Sequence, residues 1–314
     1  MKICMLGAGA LGSSIGGVLA RGGSDVVFVD RFQAHVDAIN AQGLKMCFGD
    51  CEKMVRVKAY ASCKGLSPVD LIIVLVKSSH TREAIESAGA LIGPDTLVMS
   101  IQNGLGHEEI LAEVVGRERV LAAKTYVGGV FLEPGHVTSG YKGKQTYIGE
   151  LDGQLTPRLQ TVVDEFNRAG LQTTASKNIY GTMWDKLLVN VATGAVCAIT
   201  RLPYGWLYKV REIEETALAA VAEGIAVAKA SDIRLSCEEP GYFWNLAAEG
   251  LPADFKTSML QSLEKGEVTE VDFINGSVVR WGERSLVNTP VNKTLLALIK
   301  GIESFQKHFG KRNN

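Results

Sequence analysis

Lys186 and Asn190 stand four residues apart, so on a helix they share a face, and Tyr180, Met183, Trp184, Leu187, Leu188 and Val191 around them draw an apolar stripe. A lysine set against such a stripe loses water. Desolvation disfavours the ammonium and lowers its pKa, and a lysine tuned in that way can hand a proton to a carbonyl oxygen while a hydride reaches the carbon. The plain alternative for Lys186 is a surface side chain lying along Trp184 with its head in water. What separates the two is whether the chain also carries a place for a hydride donor.

The segment from Lys2 to Gly17, KICMLGAGALGSSIGG, offers one. Ile3, Cys4, Met5 and Leu6 suit a strand buried on both faces, and Gly7, Gly9 and Gly12 then spell G-x-G-x-x-G. In a dinucleotide-binding turn the first glycine permits the tight turn, the second lets backbone approach a pyrophosphate, and the third lets the next helix close on the strand. The turn residues expected to touch the cofactor are Gly7, Ala8, Gly9, Ala10, Leu11 and Gly12. A helical pattern follows (Leu11, Ile15, Val18, Leu19), and a second strand, 26–29, ends in Asp30 near the expected ribose position.

The elements that must position these groups follow in order. A helix is expected over 32–40 with Gly43 as its cap, then short strands near 45–48 and 54–59. The run DLIIVLV at 70–76 is the strongest buried-strand signal, followed by a helix over 81–92 and a strand over 96–100. Lys77 and Asn103 follow the ends of those two strands, on the sheet edge where open parallel sheets hold ligands. Segments 120–130, 135–139 and 145–149 are expected to complete the sheet, and 156–168 to be helical. From 178 onward helical periodicity takes over, at 178–199, 209–230, 258–283 and 290–308. The fold class is therefore α/β: an N-terminal Rossmann dinucleotide-binding domain over 1–175 and an all-helical C-terminal domain over 176–314.

Length and composition agree with that plan. The chain has 314 residues, 46% of them hydrophobic and 21% charged, enough for two cores at roughly 100 to 200 residues per domain. A formal charge of −1 argues against a general affinity for nucleic acid or acidic membranes. No apolar run reaches the ~20 residues of a membrane helix, and no signal peptide precedes the first strand, so a cytoplasmic protein is expected. Cys47, Cys51 and Cys63 match no standard metal spacing and histidine is far from them, so no metal is expected.

With these motifs in hand the whole chain resembles the ketopantoate reductase family, the 2-dehydropantoate 2-reductases. The resemblance rests on GAGALGS at 7–13, QNG at 102–104, WDKLLVN at 184–190, SMLQ at 258–261, TEVDFINGSVV at 269–279 and TPVN at 289–292. It implies a Rossmann domain followed by a helical domain, NADPH as cofactor with NAD as the alternative, and reduction of a 2-oxo acid to a D-2-hydroxy acid between the domains, within pantothenate biosynthesis. Carried over residue by residue, Lys186 is the proton donor and Glu270 the carboxylate that orients it. Asn190 bonds the substrate, Ser258 grips its carboxylate, Asn103 touches cofactor and substrate, and Gly129 lies close to the nicotinamide. Arg31 takes the place of the guanidinium that binds the 2′-phosphate, with Lys77 as a second positive charge; Asp30 would turn outward or pair with Arg31. The expected partners are a small-molecule 2-oxo acid and, as an open option, a second copy of the chain in a homodimer.

Three positions depart from the family pattern: Gly194 and Phe255 replace asparagines, and Ser262 replaces an acid. A pocket that lacks those polar groups suits a larger or more apolar 2-oxo acid than 2-dehydropantoate. Two other classes stay open, a nucleotide sensor without turnover and an opine or 6-phosphogluconate type dehydrogenase. The pair Lys186 and Glu270 argues against the first, and WDKLLVN against the second.

Overall fold

Strand β1 (Lys2–Leu6) has Ile3 and Met5 on one face and Cys4 and Leu6 on the other, and each face contributes to a different buried cluster. That two-sided burial makes β1 a central strand. In the computed structural model, which describes residues 1–309, it pairs in parallel with both β2 (Asp25–Val29) and the strand at Leu71–Val74. Contacts divide the chain into two compact units, Met1–Gln102 with His107–Ile179, and Asn103–Gly106 with Tyr180 onward. The last division point falls between Ile179 and Tyr180, at the start of the helical region.

In the first unit, α1 (Ala10–Arg21) and α2 (Gln33–Gln42) precede a hairpin of β3 (Leu44–Phe48) and β4 (Cys51–Val55). Then come β5 (Lys58–Tyr60), β6 (Leu71–Val74), α3 (Thr81–Ser87), β7 (Leu97–Ser100), α4 (His107–Val115), β8 (Val120–Thr125), β9 (Gly128–Glu133), β10 (His136–Gly140), β11 (Thr146–Glu150), α5 (Pro157–Arg168) and β12 (Thr173–Ala175). The main sheet runs β12-β11-β8-β7-β6-β1-β2-β5, parallel except for β8 against β11. The chain goes one way from β1 to β2 and the other way to β6, so strand order reverses at β1, the place where a doubly wound sheet opens its ligand crevice.

Several expectations need correction. The segment expected as one strand over 120–130 is two, and β9 and β10 do not complete the main sheet. They form a second sheet with the hairpin, in the order β4-β3-β10-β9. Helix α1 lies between the sheets: a Cβ on Gly16 would meet the ring of Phe28 at 2.7 Å on one side, and one on Gly17 would strike Met46 on the other. Each glycine costs the helix roughly 1 kcal/mol relative to alanine, and the close packing offsets it. Strand β10 runs parallel to β3, which brings His136 beside Cys47; the histidine expected to be far from that cysteine is its neighbour. Helix α4 was not foreseen.

The second unit is helical: α6 (Ile179–Thr200), α7 (Tyr204–Leu207), α8 (Arg211–Ala230), α9 (Pro240–Ala248), α10 (Ser258–Glu264), α11 (Asn275–Ser285) and α12 (Pro290–Phe309). The helix expected over 258–283 is broken. Gly266, at φ 68°, ends α10: its own N–H reaches the Leu263 carbonyl, and the N–H of Glu267 reaches that of Ser262, closing a Schellman motif. Glu270 therefore lies outside any α-helix, ahead of a 3-10 turn at Val271–Phe273, and Asn275 and Gly276 open the next helix. Asn275 donates to Asn292, which donates to Glu223, and Glu223 accepts the N–H groups of Val291 and Asn292 at the start of α12. The asparagines of the ING and TPVN motifs thus hold helix to helix. Among the described residues no helix is long and apolar enough to cross a membrane.

One buried histidine fastens the glycine turn. His35 Nδ1 accepts the Gly135 N–H at 2.8 Å, so its Nε2 carries the proton and faces Ser13 Oγ at 3.2 Å, and Ser13 donates to the Ala8 carbonyl at 2.6 Å. Burial, outweighing the nearby Asp30, lowers the pKa of His35 below 6.5. The folded state holds the ring neutral while the unfolded chain takes up a proton near that pH, so this part of the stability is full above pH 6.5 and is lost as pH falls through the folded-state value. The thermal midpoint of the wild type should drop on going from pH 7.5 to pH 5. His35→Asn should cost about 1 to 3 kcal/mol at neutral pH and show a shallower drop. Identical pH slopes for the two proteins would contradict the role given to His35.

Candidate active site

The first turn of α1 presents the N–H groups of Ala10, Leu11 and Gly12, which have no acceptor within the helix. Gly9 at the cap position supplies no side-chain acceptor, and the first turn contains no acid. These donors and the helix dipole favour an anion. The glycines around them are constrained in different ways. Gly7 has φ 104°, and a Cβ there would lie 2.7 Å from the Leu75 backbone; a Cβ on Gly12 would fall on the Gly7 carbonyl oxygen. By contrast, a Cβ on Gly9 would meet nothing within 4 Å. No protein atom demands glycine there, so the open space beside uncapped amides fits the pyrophosphate of a dinucleotide. Gly129 in β9 lies against this turn, where a Cβ would sit 3.0 Å from the Ala10 carbonyl oxygen.

At the end of β2, Asp30 does not turn outward and is not paired with Arg31. Its two oxygens accept the N–H groups of Ala8, at 2.7 Å, and Phe32, at 2.8 Å, tying the glycine turn to the strand end. Arg31 instead pairs with Glu83 of α3 at 2.8 Å, with the side chains 66% and 58% exposed. Glu83 raises the pKa of Arg31, and its own is lowered by Arg31. Lys77 is exposed, just after β6 and before a 3-10 turn. Spacing alone gave no sign of Glu83.

In the helical unit α6 carries Lys186 with Asn190 one turn on, both half-buried, while Trp184 packs edge-on against Trp281 of α11, ring centroids 5.9 Å apart. Burial pulls the Lys186 ammonium down to about 8, with the carboxylate of Glu270 pulling the other way. Asn103 Nδ2 donates to Glu270 Oε2 at 3.4 Å. The Asn103 loop is fixed in this unit by the Leu105 N–H on the Phe273 carbonyl, at 2.9 Å, and by Ser277 Oγ on the Leu105 carbonyl, at 2.9 Å. Lys186, Glu270 and Asn103 are thus brought together. Ser258 is the exposed first residue of α10, beneath the Thr257 cap. Phe255 packs edge-on to Tyr204 with centroids 5.0 Å apart, and Tyr204 hydrogen-bonds Thr193 of α6.

A doubly wound unit with an uncapped glycine turn, followed by a helical unit with a half-buried lysine, is matched along nearly the whole chain by known proteins. Residues 3–153 match the family model for ketopantoate reductase PanE/ApbA, and residues 178–303 that for ketopantoate reductase PanE/ApbA C terminal. The chain belongs to the ketopantoate reductase family. It is 37% identical to the 2-dehydropantoate 2-reductase of Pyrococcus horikoshii, over 97% of this chain and 98% of that one. It is 32% identical to the enzyme of the same name from Archaeoglobus fulgidus, over 96% and 98%. Among solved structures it resembles a PanE/ApbA family ketopantoate reductase from Ralstonia eutropha JMP134, with a TM-score of 0.89, 33% identity and coverage of 98% and 100%. It equally resembles D-mandelate dehydrogenase in a ternary structure with NADH and anilino(oxo)acetate, with a TM-score of 0.89, 27% identity and coverage of 98% and 100%. As a family member this reductase is an oxidoreductase with a Rossmann domain.

The glycines of the turn should separate on mutation. Gly9→Val, whose side chain enters open space, should keep the wild-type melting temperature and lose cofactor binding in a fluorescence titration. Gly12→Val should lose stability outright, because its side chain meets backbone. Unchanged cofactor affinity in Gly9→Val would remove the turn from the binding site.

Proposed function

We propose that this reductase converts a 2-oxo acid to a D-2-hydroxy acid in the cytoplasm, with residues 1–175 holding the cofactor and 176–314 the catalytic and substrate groups. The single observation that carries the reading is Lys186, half-buried and tuned to about 8 with Glu270 as its charge partner. The reduced nicotinamide dinucleotide supplies the hydride when bound. Lys186, mostly protonated at neutral pH, donates its proton to the carbonyl oxygen, and the proton is replaced from solvent. Glu270 keeps the ammonium charged, Asn103 steadies Glu270, and Asn190 and Ser258 take the substrate hydroxyl and carboxylate. Gly7, Ala8, Gly9, Ala10, Leu11 and Gly12 hold the pyrophosphate.

The first substrate to test is 2-dehydropantoate, on the strength of the named relatives. A second reading, an aromatic or larger apolar 2-oxo acid, is favoured by one specific arrangement: Phe255 packs on Tyr204 where the family places an amide, and Gly194 leaves its position without a side chain. The likeness to a D-mandelate dehydrogenase adds support. A spectrophotometric panel of 2-oxo acids with both cofactors decides between them by kcat/KM; a panel with no turnover would overturn both.

Lys186→Ala should keep fold and cofactor binding while kcat falls by about 10² to 10⁴, the usual worth of a placed general acid. A near-normal kcat would sink the assignment. In the wild type, reduction should be level at lower pH and decline as pH rises through about 8, because the acid form of Lys186 is lost. Oxidation of the hydroxy acid should gain over the same interval.

NADPH is the proposed cofactor, with Arg31 as the group that meets the 2′-phosphate and NADH as the alternative. The bond Arg31 must surrender is an exposed ion pair, which is worth little. Arg31→Ala should raise KM for NADPH by about tenfold or more and leave NADH nearly unchanged. Glu83→Gln should lower KM for NADPH by removing a competing anion. A wild type that prefers NADH, and that Asp30→Ala moves toward NADPH, would show that the acid rules instead.

A further inference from the structure

Outside the groups used above, the four-stranded sheet gathers on one face a set of side chains with metal-ligand chemistry. Cys47 of β3 and Glu52 of β4 are direct cross-strand partners in the hairpin, and parallel pairing of β10 with β3 places His136 opposite Lys45, two residues from Cys47 on the same face. Cys47 Sγ lies 3.0 Å from His136 Nε2 and 3.6 Å from Glu52 Oε1, and one donor atom from each residue falls within 4.8 Å of the others. Zn–S bonds of about 2.3 Å and Zn–N or Zn–O bonds of about 2.0 to 2.2 Å put tetrahedral ligand atoms roughly 3.5 Å apart, so side-chain adjustments of under an ångström bring the three around one ion.

A second observation concerns the histidine. Its other nitrogen, Nδ1, lies 3.3 Å from Glu133 Oε1, and its side chain is only 14% exposed. A carboxylate on the far nitrogen is the outer partner that orients metal-bound imidazoles, fixing the tautomer that turns the Nε2 lone pair inward. We propose that Cys47, Glu52 and His136 form a binding site for one zinc ion, with Glu133 as the positioning carboxylate and water in the fourth position. Binding breaks the Cys47 S–H bond and forms S–Zn, releasing one proton to solvent, with no change of oxidation state. Lys45, 2.9 Å from Glu52 Oε1, stays as an outer charge on that carboxylate. Cys51 is exposed on the same hairpin but contributes no atom to the set, and Cys63 is buried elsewhere in the core.

The test uses the full chain without a tag, reduced and freed of metal. Titration with cobalt(II) should give a thiolate-to-cobalt charge-transfer band that saturates at one equivalent, and zinc should displace it. Cys47→Ser should abolish the band, and His136→Ala should weaken binding by tenfold or more. Glu133→Gln should weaken it by about 10- to 100-fold while leaving the ligand set intact. Cys51→Ser should bind as the wild type does. Circular dichroism of each variant confirms that the sheet persists, and a zinc-dependent rise in melting temperature, present in the wild type and absent in Cys47→Ser, gives a second readout. A wild type without one-equivalent binding, a Cys47→Ser protein that binds normally, or a band lost equally in Cys51→Ser would each overturn the site. None of these readouts depends on turnover, so the result stands apart from the proposed reaction.

Discussion

The first unit is organised by how closely helix α1 approaches strand β1. Gly12 lies against the carbonyl of Gly7 with no room for a side chain, and further along the helix Phe28 lies against Gly16 and Met46 against Gly17. A methyl at Gly12 would strike the Gly7 backbone and one at Gly16 the Phe28 ring, whereas one at Gly17 would meet the movable end of Met46. The same closeness leaves the uncapped amides beside the open space at Gly9, so on the proposed reading the packing that holds the helix also makes the anion site. Ser13, on the Ala8 carbonyl, and Asp30, on the Ala8 N–H, hold the backbone of the turn directly, and His35 supports it through the Ser13 hydroxyl. The turn is thus tied by hydrogen bonds to the protein around it, and on the proposed reading that preorganisation lowers the ordering cost of binding.

On the proposed reading of Lys186 as the proton donor, the decisive balance in the helical unit is electrostatic. Burial alone would drive Lys186 toward the neutral amine, which cannot donate a proton, and full exposure would leave it too weak an acid to donate readily near neutral pH. Glu270 opposes the burial, and the outcome near 8 lies where both protonation states are accessible. The break in the chain between α10 and α11 places Glu270 in this role. Had the helix continued past Gly266, the carboxylate would have been carried on a helix face, its position set by periodicity. Instead the Schellman turn and the 3-10 turn that follows leave it at a bend, where the Asn103 amide also reaches it.

How much of this was legible in the sequence follows from the range of the interactions involved. Short-range patterns were readable: the continuous apolar runs of β1 and β6, the glycine spacing, and the helix carrying Lys186 and Asn190 all depend on neighbours within a few residues. The Schellman cap at Gly266 is equally local, but apolar residues at helical spacing continue on either side of it and mask the interruption. The remaining surprises are products of pairing between distant strands. Nothing near residue 47 announces residue 136, yet β10 beside β3 makes them neighbours; nothing near Ser13 announces His35 as its partner. The strands β9 and β10 have the length of main-sheet strands, and only the pairing of β10 with β3, on the far side of α1, reveals a second sheet.

The charges at the end of β2 show why residue type alone misleads about selectivity. An aspartate followed by an arginine reads as two rival signals for the cofactor ribose, one accepting hydroxyls and one welcoming phosphate. In the fold each is already engaged: Asp30 by two backbone amides that the turn cannot do without, Arg31 by a carboxylate on the surface of α3. The two engagements differ in what it takes to undo them. Releasing Asp30 would leave the Ala8 and Phe32 amides unpaired and loosen the phosphate turn, whereas releasing Arg31 from Glu83 exchanges one exposed anion for another at little expense. On the proposed reading the arginine is the adjustable partner and the aspartate is part of the frame. The acid that sets the preference is then Glu83, distant in sequence from the motif that advertised the question.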